Sequence, residues 1–439
     1  MKRKIIESLK RWKTSPSRKP LLLYGARQVG KTYSALSFGR DYFTNVVYFN
    51  FEGNSQLQQI FDGNLSPSEI LPALQAQAGE TILPQETLII FDEIQACERA
   101  LTSLKYFCEE ASEYAIIGAG SLLGVALNRK AFSFPVGKVD MMTLYPMDFE
   151  EFLWALGKED MASLIRESLI NRKPFSLHDT ALSLYRLYLV VGGMPQAVGE
   201  YVRSKEFPFV ESTLKNLDNA YIADMAKYTT SRETARIMDA WRSIPAQLAK
   251  ENKKFQYKYI KSGARAGQYA AALAWLQTGG LILSCLNVTE GRLPLSVYVD
   301  AGTFKTYLMD TGLLCAKFSV PPQTVLYPSE ILDGFRGALT ENYCMQALVA
   351  QGILPYYWTS QGTAEVDFVF QTEKGNIVPL ESKAASHVRA KSLHLFMKRY
   401  DIPLGIRVST RNVGLENNIF SIPLYGLFAL KDTLNFCSL

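Results

Sequence analysis

Gly25-Ala26-Arg27-Gln28-Val29-Gly30-Lys31-Thr32 is a run of residues suited to holding a chain of phosphates. Glycines at both ends let backbone N–H groups turn inward, and a helix starting here adds positive potential. The Lys31 ammonium reaches the β- and γ-phosphates, and the Thr32 hydroxyl can ligate Mg²⁺, with Tyr33 next in the expected contact set. The apolar run Leu21-Leu22-Leu23-Tyr24 precedes these residues and a helix-compatible stretch follows, which is the strand, loop and helix order that the chemistry requires. A second strand-like run, Leu88-Ile89-Ile90-Phe91, ends in Asp92-Glu93. Asp92 suits the Mg²⁺ surroundings, Glu93 suits a base that orients an attacking water, and Lys31 can stabilise the charge that develops during phosphoryl transfer. A nucleoside triphosphate and Mg²⁺ are the ligands these residues call for, and an ordinary strand-to-helix turn has no need of the second half.

A separate set of chemical groups lies towards the C-terminus: Glu341, Asp367, Glu381 and Lys383. Glu381 and Lys383 are two apart, so on a strand they project from one face, towards a neighbour carrying Asp367. Two carboxylates, Asp367 and Glu381, can hold Mg²⁺ while the ammonium stabilises an attacking hydroxide or the charge on phosphorus, which is what phosphodiester hydrolysis needs. Asp followed by Glu-x-Lys is a weak pattern by itself. A cross-strand cluster of ion pairs, or a scaffold with latent residues, uses the same side chains.

The elements that must position these groups can be read from apolar runs and turn residues. In the first segment Leu21–Tyr24, Val46–Asn50, Leu88–Phe91 and Ala115–Gly118 alternate with helix-like stretches, which predicts a parallel sheet with ligands at the carboxyl ends of its strands. Leu144-Tyr145-Pro146 then leads into a helix whose first turn is rich in acid. Glu233–Leu248 and Arg265–Thr278 read as amphipathic helices, the second stopped by Gly279-Gly280 before the apolar run Leu281–Leu286, an order that suggests a winged helix. Its candidate DNA contacts are Arg265, Gln268 and Gln277, with Lys253, Lys254, Lys258 and Lys261 for phosphates. Helices over Ile331–Ala350 and Val388–Tyr400, with strands at Tyr356–Trp358, Val366–Phe370, Ile377–Lys383 and Leu404–Ser409, give the αβββαβ order of a restriction-endonuclease-like core.

The expected fold class is therefore α/β: a P-loop ATPase parallel sheet with a helical lid, a winged-helix-like middle module, and a restriction-endonuclease-like α/β C-terminal domain. With 439 residues the chain divides into about three domains of ~150 residues each, here placed at 1–165, 166–325 and 326–439. Apolar content of 48% with 20% charged residues is that of a packed globular protein. No run of ~18 uncharged apolar residues and no signal-peptide pattern occurs, so a cytoplasmic location without membrane partners is expected. Six scattered cysteines and three histidines support neither a disulfide framework nor a zinc site. A net charge of +5 permits nucleic acid without arguing for it. A homo-oligomer or a protein partner stays open.

Five motifs in order resemble one family: prokaryotic AAA-type ATPases whose C-terminal half is a widespread domain of unknown function. They are the phosphate loop, Phe91-Asp92-Glu93-Ile94-Gln95, Leu144 to Phe152, Val191-Gly192-Gly193-Met194-Pro195-Gln196-Ala197, and Phe304 to Leu314. The resemblance implies that Ser121, after the strand ending in Gly118, senses the γ-phosphate; a turn or helix cap is the other reading. It implies that Pro195 packs on adenine, where a plain helix-breaking turn is the alternative. Relatives carry Gly-Arg where this chain has Gly137-Lys138, so an arginine-finger role there is open, with Arg129 a substitute. The C-terminal domain resembles the PD-(D/E)XK nuclease superfamily. Together these imply an ATPase that couples nucleotide state to a DNA-interacting, Mg²⁺-dependent nuclease-like domain. The competing expectation is an ATP/ADP switch or scaffold whose last domain only binds a partner.

Overall fold

The computed structural model describes residues 1–120, 134–250, 253–327, 333–360, 364–384 and 391–436. The chain forms two compact units, one of Lys2–Tyr145 with Thr278–Gly280, the other of Pro146–Gln277 and Leu281–Leu439 with Met1.

The first unit holds a five-stranded sheet of β1 (Leu21–Tyr24), β2 (Asn45–Asn50), β3 (Thr87–Asp92), β4 (Ala115–Ala119) and β5 (Asp140–Thr143) in the order β2-β3-β4-β1-β5, every neighbouring pair parallel. Strands buried on both faces read as unbroken apolar runs, which is why β3 and β4 were legible. The edge strand β5 was not, because its side chains alternate between half-buried and exposed and it has no apolar run. Helix α2 (Lys31–Tyr42) covers one face: a Cβ on Gly39 would touch the side chains of Val46 and Leu88. The opposite face packs Leu22, Ile89, Phe91 and Ile116 against α4 (Pro67–Ala78) and α5 (Glu98–Glu110) through Ile70, Leu74, Leu101 and Leu104. Helix α1 (Ile5–Thr14) buries Ile5, Leu9 and Trp12, spaced at one face of a helix, and a short α3 covers Ser55–Gln59.

The second unit opens on α6 (Phe149–Ala155), where Asp148 accepts from the Glu151 N–H and Glu151 returns a bond to the Asp148 N–H. This reciprocal cap starts the helix at Phe149, after Pro146 rather than at it. Helices α7 (Glu159–Ile170), α8 (His178–Val191), α9 (Pro195–Ser204), α10 (Phe207–Tyr228), α11 (Ser231–Leu248) and α12 (Ala266–Thr278) follow. Next come β6 (Ile282–Val288), β7 (Val299–Leu308), α13 (Thr311–Phe318), α14 (Pro322–Leu326) and α15 (Asp333–Ala350). The chain ends with β8 (Tyr356–Ser360), β9 (Ala364–Gln371), β10 (Ile377–Ser382), α16 (Lys391–Tyr400), β11 (Gly405–Ser409), β12 (Gly414–Glu416), β13 (Ile419–Pro423) and α17 (Leu430–Phe436).

Eight of these strands make one mixed sheet, β12-β13-β11-β10-β9-β8-β6-β7. The hairpin β6–β7, assigned by sequence to a module ending at 325, thus continues the sheet of the C-terminal strands: Leu286, Asn287 and Val288 pair in parallel with Tyr356, Tyr357 and Trp358. Val288 and Trp358 share a core with Val366, Phe396 and Met397, so the pairing satisfies the edge of β6 and buries apolar surface together. The expected three-way division at 165 and 325 therefore differs from the packing, which divides the chain after Tyr145 and leaves no break at 325.

Candidate functional sites

In the first unit, β1 delivers the chain into the loop at Gly25, whose φ of +140° and carbonyl neighbour leave no room for a side chain: a Cβ there would lie 2.2 Å from the Leu144 oxygen. Gly30, at φ +96°, precedes the first residue of α2. The loop is backed by a residue that sequence reasoning passed over. The buried Arg3 guanidinium donates to the Val29 carbonyl and to the Tyr145 carbonyl, both at 2.7 Å. No local motif marks Arg3, since its partners lie 26 and 142 residues away.

Lys31 is buried, and its ammonium donates to the Gly25 carbonyl at 2.9 Å and the Ala26 carbonyl at 2.8 Å. Burial lowers its pKa to about 8, against the opposing pull of Glu93 and Asp92. A buried ammonium whose hydrogen bonds go to neutral carbonyls gains from an arriving phosphate anion. The Thr32 hydroxyl donates to Asp92 Oδ2 at 2.9 Å, and Asp92 Oδ1 accepts the Glu93 N–H at 3.1 Å. Thr32 Oγ1 and the Asp92 carboxylate are hard oxygens brought together at a helix start, a donor set that fits Mg²⁺. Glu93 takes a left-handed φ of +49°, and its carboxylate accepts from Gln95 Nε2. A non-glycine residue at positive φ directly after the end of β3 is costly backbone, of the kind found where a side chain must be aimed. The Tyr48 hydroxyl, on β2, also donates to Asp92 Oδ2, at 2.7 Å, and was not anticipated.

Lys138 holds Glu109 in an exposed ion pair at 2.8 Å. Ser121 and Arg129 lie outside the described residues. Pro195 is the first residue of α9, in the second unit, and supplies a helix start that needs no N–H.

The C-terminal carboxylates sit on one sheet face of the second unit. Leu380 pairs with Phe368 in the antiparallel ladder, so Glu381 and Asp367 follow on facing positions. Asp367 Oδ2 accepts from the Ser382 N–H at 2.8 Å and the Ser382 hydroxyl at 3.0 Å. Glu381 is buried; one oxygen pairs with Lys383 Nζ at 3.0 Å, and among the described residues Oε2 finds no hydrogen-bond donor. Burial raises the Glu381 pKa, with Asp367 adding to it and Lys383 opposing. Burial alone would lower that of Lys383, but Asp367 and Glu381 outweigh it and raise the pKa. Lys383 lies one residue beyond β10, and its N–H donates to the Val408 carbonyl at 2.8 Å.

Glu341 differs from these. Its Oε1 accepts from Lys305 Nζ at 2.9 Å and Tyr307 at 2.5 Å, and its Oε2 accepts from Lys253. Burial pushes its pKa up, but the two ammonium groups and the phenol win and hold it well below the ordinary carboxylate range. Lys305 is fully buried on β7 and also pairs with Glu365 at 2.5 Å. Glu341, grouped by the sequence with Asp367, Glu381 and Lys383 as a catalytic residue, therefore faces two ammonium groups and a phenol. Lys253, expected to meet DNA phosphate, is one of them. Among the described residues no group of three or more His, Cys, Asp or Glu is placed to hold a metal ion. No described helix is long and apolar enough to cross a membrane.

Residues 17–153 match the family model of the AAA domain. The chain carries a P-loop ATPase domain and is an ATPase. Residues 182–324 match a domain of unknown function (DUF8612), and residues 336–426 match another (DUF4143). The latter begins inside α15 and ends after β13, so it takes in Glu341, Asp367, Glu381 and Lys383 of the ATPase's second unit. Among solved structures, a Walker-type ATPase of Pyrococcus abyssi is 16% identical, with 71% of this chain and 95% of that chain covered at a TM-score of 0.44. The ORC1 protein of Aeropyrum pernix, solved in complex with DNA, is 13% identical, with 72% and 91% covered at a TM-score of 0.31. The ORC2 protein of the same organism is 13% identical, with 76% and 92% covered at 0.33. No curated protein matches the chain.

Proposed function

We propose that this ATPase uses nucleotide state to govern a second unit that engages DNA and holds Mg²⁺ at Asp367 and Glu381. The observation that carries the reading is the Glu381 carboxylate, buried, with Oε2 accepting no hydrogen bond and facing Asp367, beside the Lys383 ammonium. A buried carboxylate oxygen left unsatisfied is costly, and a cation shared with Asp367 removes that cost. Mg²⁺ accepts one or two carboxylates with water in its remaining positions, so two ligands are enough. Bound there, the ion would supply Lewis-acid chemistry towards a phosphodiester. Asp367 and Glu381 would orient it, and Lys383 would hold positive charge next to the developing negative charge. For DNA the reading looks to the stretch between α11 and α12, where exposed Lys258, Lys261 and Arg265 are suited to phosphate contacts.

A second reading has its own support. Glu341 is neutralised by Lys253 and Lys305, which favours a switch or scaffold in which the C-terminal cluster is structural. Supercoiled plasmid incubated with purified protein, Mn²⁺ and ATP distinguishes them. Nicking that disappears in Lys383→Ala and persists in Glu93→Gln with ATP supports the nuclease-like reading. DNA binding that depends on nucleotide without nicking supports the switch, and neither result leaves ATP turnover as the chain's chemistry.

A further inference from the structure

We propose that Tyr48 is a positioning residue of the ATPase, which sets the orientation of Asp92 and through it the response of the site to Mg²⁺. The inference rests on the ATPase site and adds a residue to it. Tyr48 lies on β2, beside β3, and its hydroxyl donates to Asp92 Oδ2 at 2.7 Å. Thr32 Oγ1 donates to the same oxygen at 2.9 Å. With the Glu93 N–H on Oδ1, the carboxylate is held by three donors from three directions.

The two hydroxyls differ in what nucleotide binding asks of them. Thr32 is the second residue of α2, and its hydroxyl would give up the bond to Asp92 on turning towards a cation. Tyr48 cannot make that exchange from the neighbouring strand, so its bond to Oδ2, with that of the Glu93 N–H to Oδ1, keeps Asp92 aimed throughout. Its ring is 41% exposed, so removing the hydroxyl leaves little buried surface unfilled and the effect should fall on Asp92. A charge-assisted bond of this type is worth about tenfold or more in an equilibrium.

The test compares wild type with Tyr48→Phe by equilibrium binding of a fluorescent ATP analogue, first in EDTA and then across a Mg²⁺ titration. Without metal the two proteins should bind alike, because Lys31 and the loop N–H groups are untouched; this arm also reads the ATPase site itself. With metal, the Mg²⁺ needed for half-maximal enhancement should rise about tenfold, and kcat should fall with little change in KM. In the Asp92→Asn background the same substitution should have no further effect, since the partner it positions is gone. Thermal unfolding of each variant shows whether the fold is kept, and Tyr48→Leu repeats the comparison if Phe disturbs it. An unchanged Mg²⁺ requirement overturns the proposal, as does an equal loss of affinity in EDTA, or a full effect in Asp92→Asn.

Discussion

The phosphate loop and the C-terminal carboxylate cluster are both buried polar sites, yet they are balanced in opposite ways. At the loop, Lys31 is a buried cation met by carbonyl oxygens, and its proton is loosely held. Around Glu341 two ammonium groups and a phenol already surround one carboxylate, which keeps its charge tightly. At the first site the ammonium donates to neutral carbonyls and gains from an incoming anion. The second has its charges paired from within, and among its described residues the Glu381 Oε2 atom, facing Asp367, leaves something to be gained. A set of ionisable residues marks a binding site by the partner it lacks.

The largest expected effect is at the loop. Lys31→Ala should abolish tight ATP binding, whereas Glu93→Gln should keep binding and lose turnover by about 10²–10³-fold, because only the second residue acts on the attacking water. Calorimetric titration and single-turnover hydrolysis separate the two. Equal affinity in Lys31→Ala and wild type would break the contrast at its first side.

At Glu341 the expected effect is on stability. Lys305→Met removes one of the two ammonium groups that balance a buried carboxylate and should cost about 3–5 kcal/mol in urea unfolding, with part recovered by adding Glu341→Gln. A near-neutral Lys305→Met would mean that Glu341 is not held as described and is free to act on a ligand.

The third effect is graded with pH. Burial lowers the Lys31 pKa to about 8 in the folded chain, below its unfolded value, so the unfolded state binds more protons between that pH and the ordinary lysine range. The nucleotide-free fold therefore gains stability from this group as pH rises through that window. ATP binding goes the other way, because the phosphates need the ammonium: affinity should weaken above pH 8 by up to about tenfold per pH unit. Lys31→Arg, which keeps its charge, should show a flat profile over the same range. A wild-type profile as flat as that of Lys31→Arg would contradict the depressed pKa.

The same contrast decides what was legible beforehand. The loop is contiguous and its elements are buried strands, so Lys31, Thr32, Asp92 and Glu93 could be singled out from the sequence, and the structure brings Thr32 to Asp92. Arg3 and Tyr48 escaped because each meets its partner through the fold and neither sits in a recognisable spacing. Asp367, Glu381 and Lys383 were legible through strand alternation, which puts them on one face. The partners of Glu341 were not, because Lys253 and Lys305 are 88 and 36 residues away and reach it through the hairpin that joins the C-terminal sheet. That joining was itself hidden: nothing local in Leu286 to Val288 says that the strand will pair with Tyr356 to Trp358 rather than end a separate module.

The most direct test of a cation site at Asp367 and Glu381 is a Mn²⁺ titration of thermal stability in Lys31→Ala protein, where the nucleotide site is disabled. Two facing carboxylates repel unless a cation lies between them, so stability should climb with Mn²⁺ by mass action, and Asp367→Asn in the same background should erase the climb. A melting temperature that ignores Mn²⁺ in Lys31→Ala, or that rises equally with and without Asp367, would contradict the account.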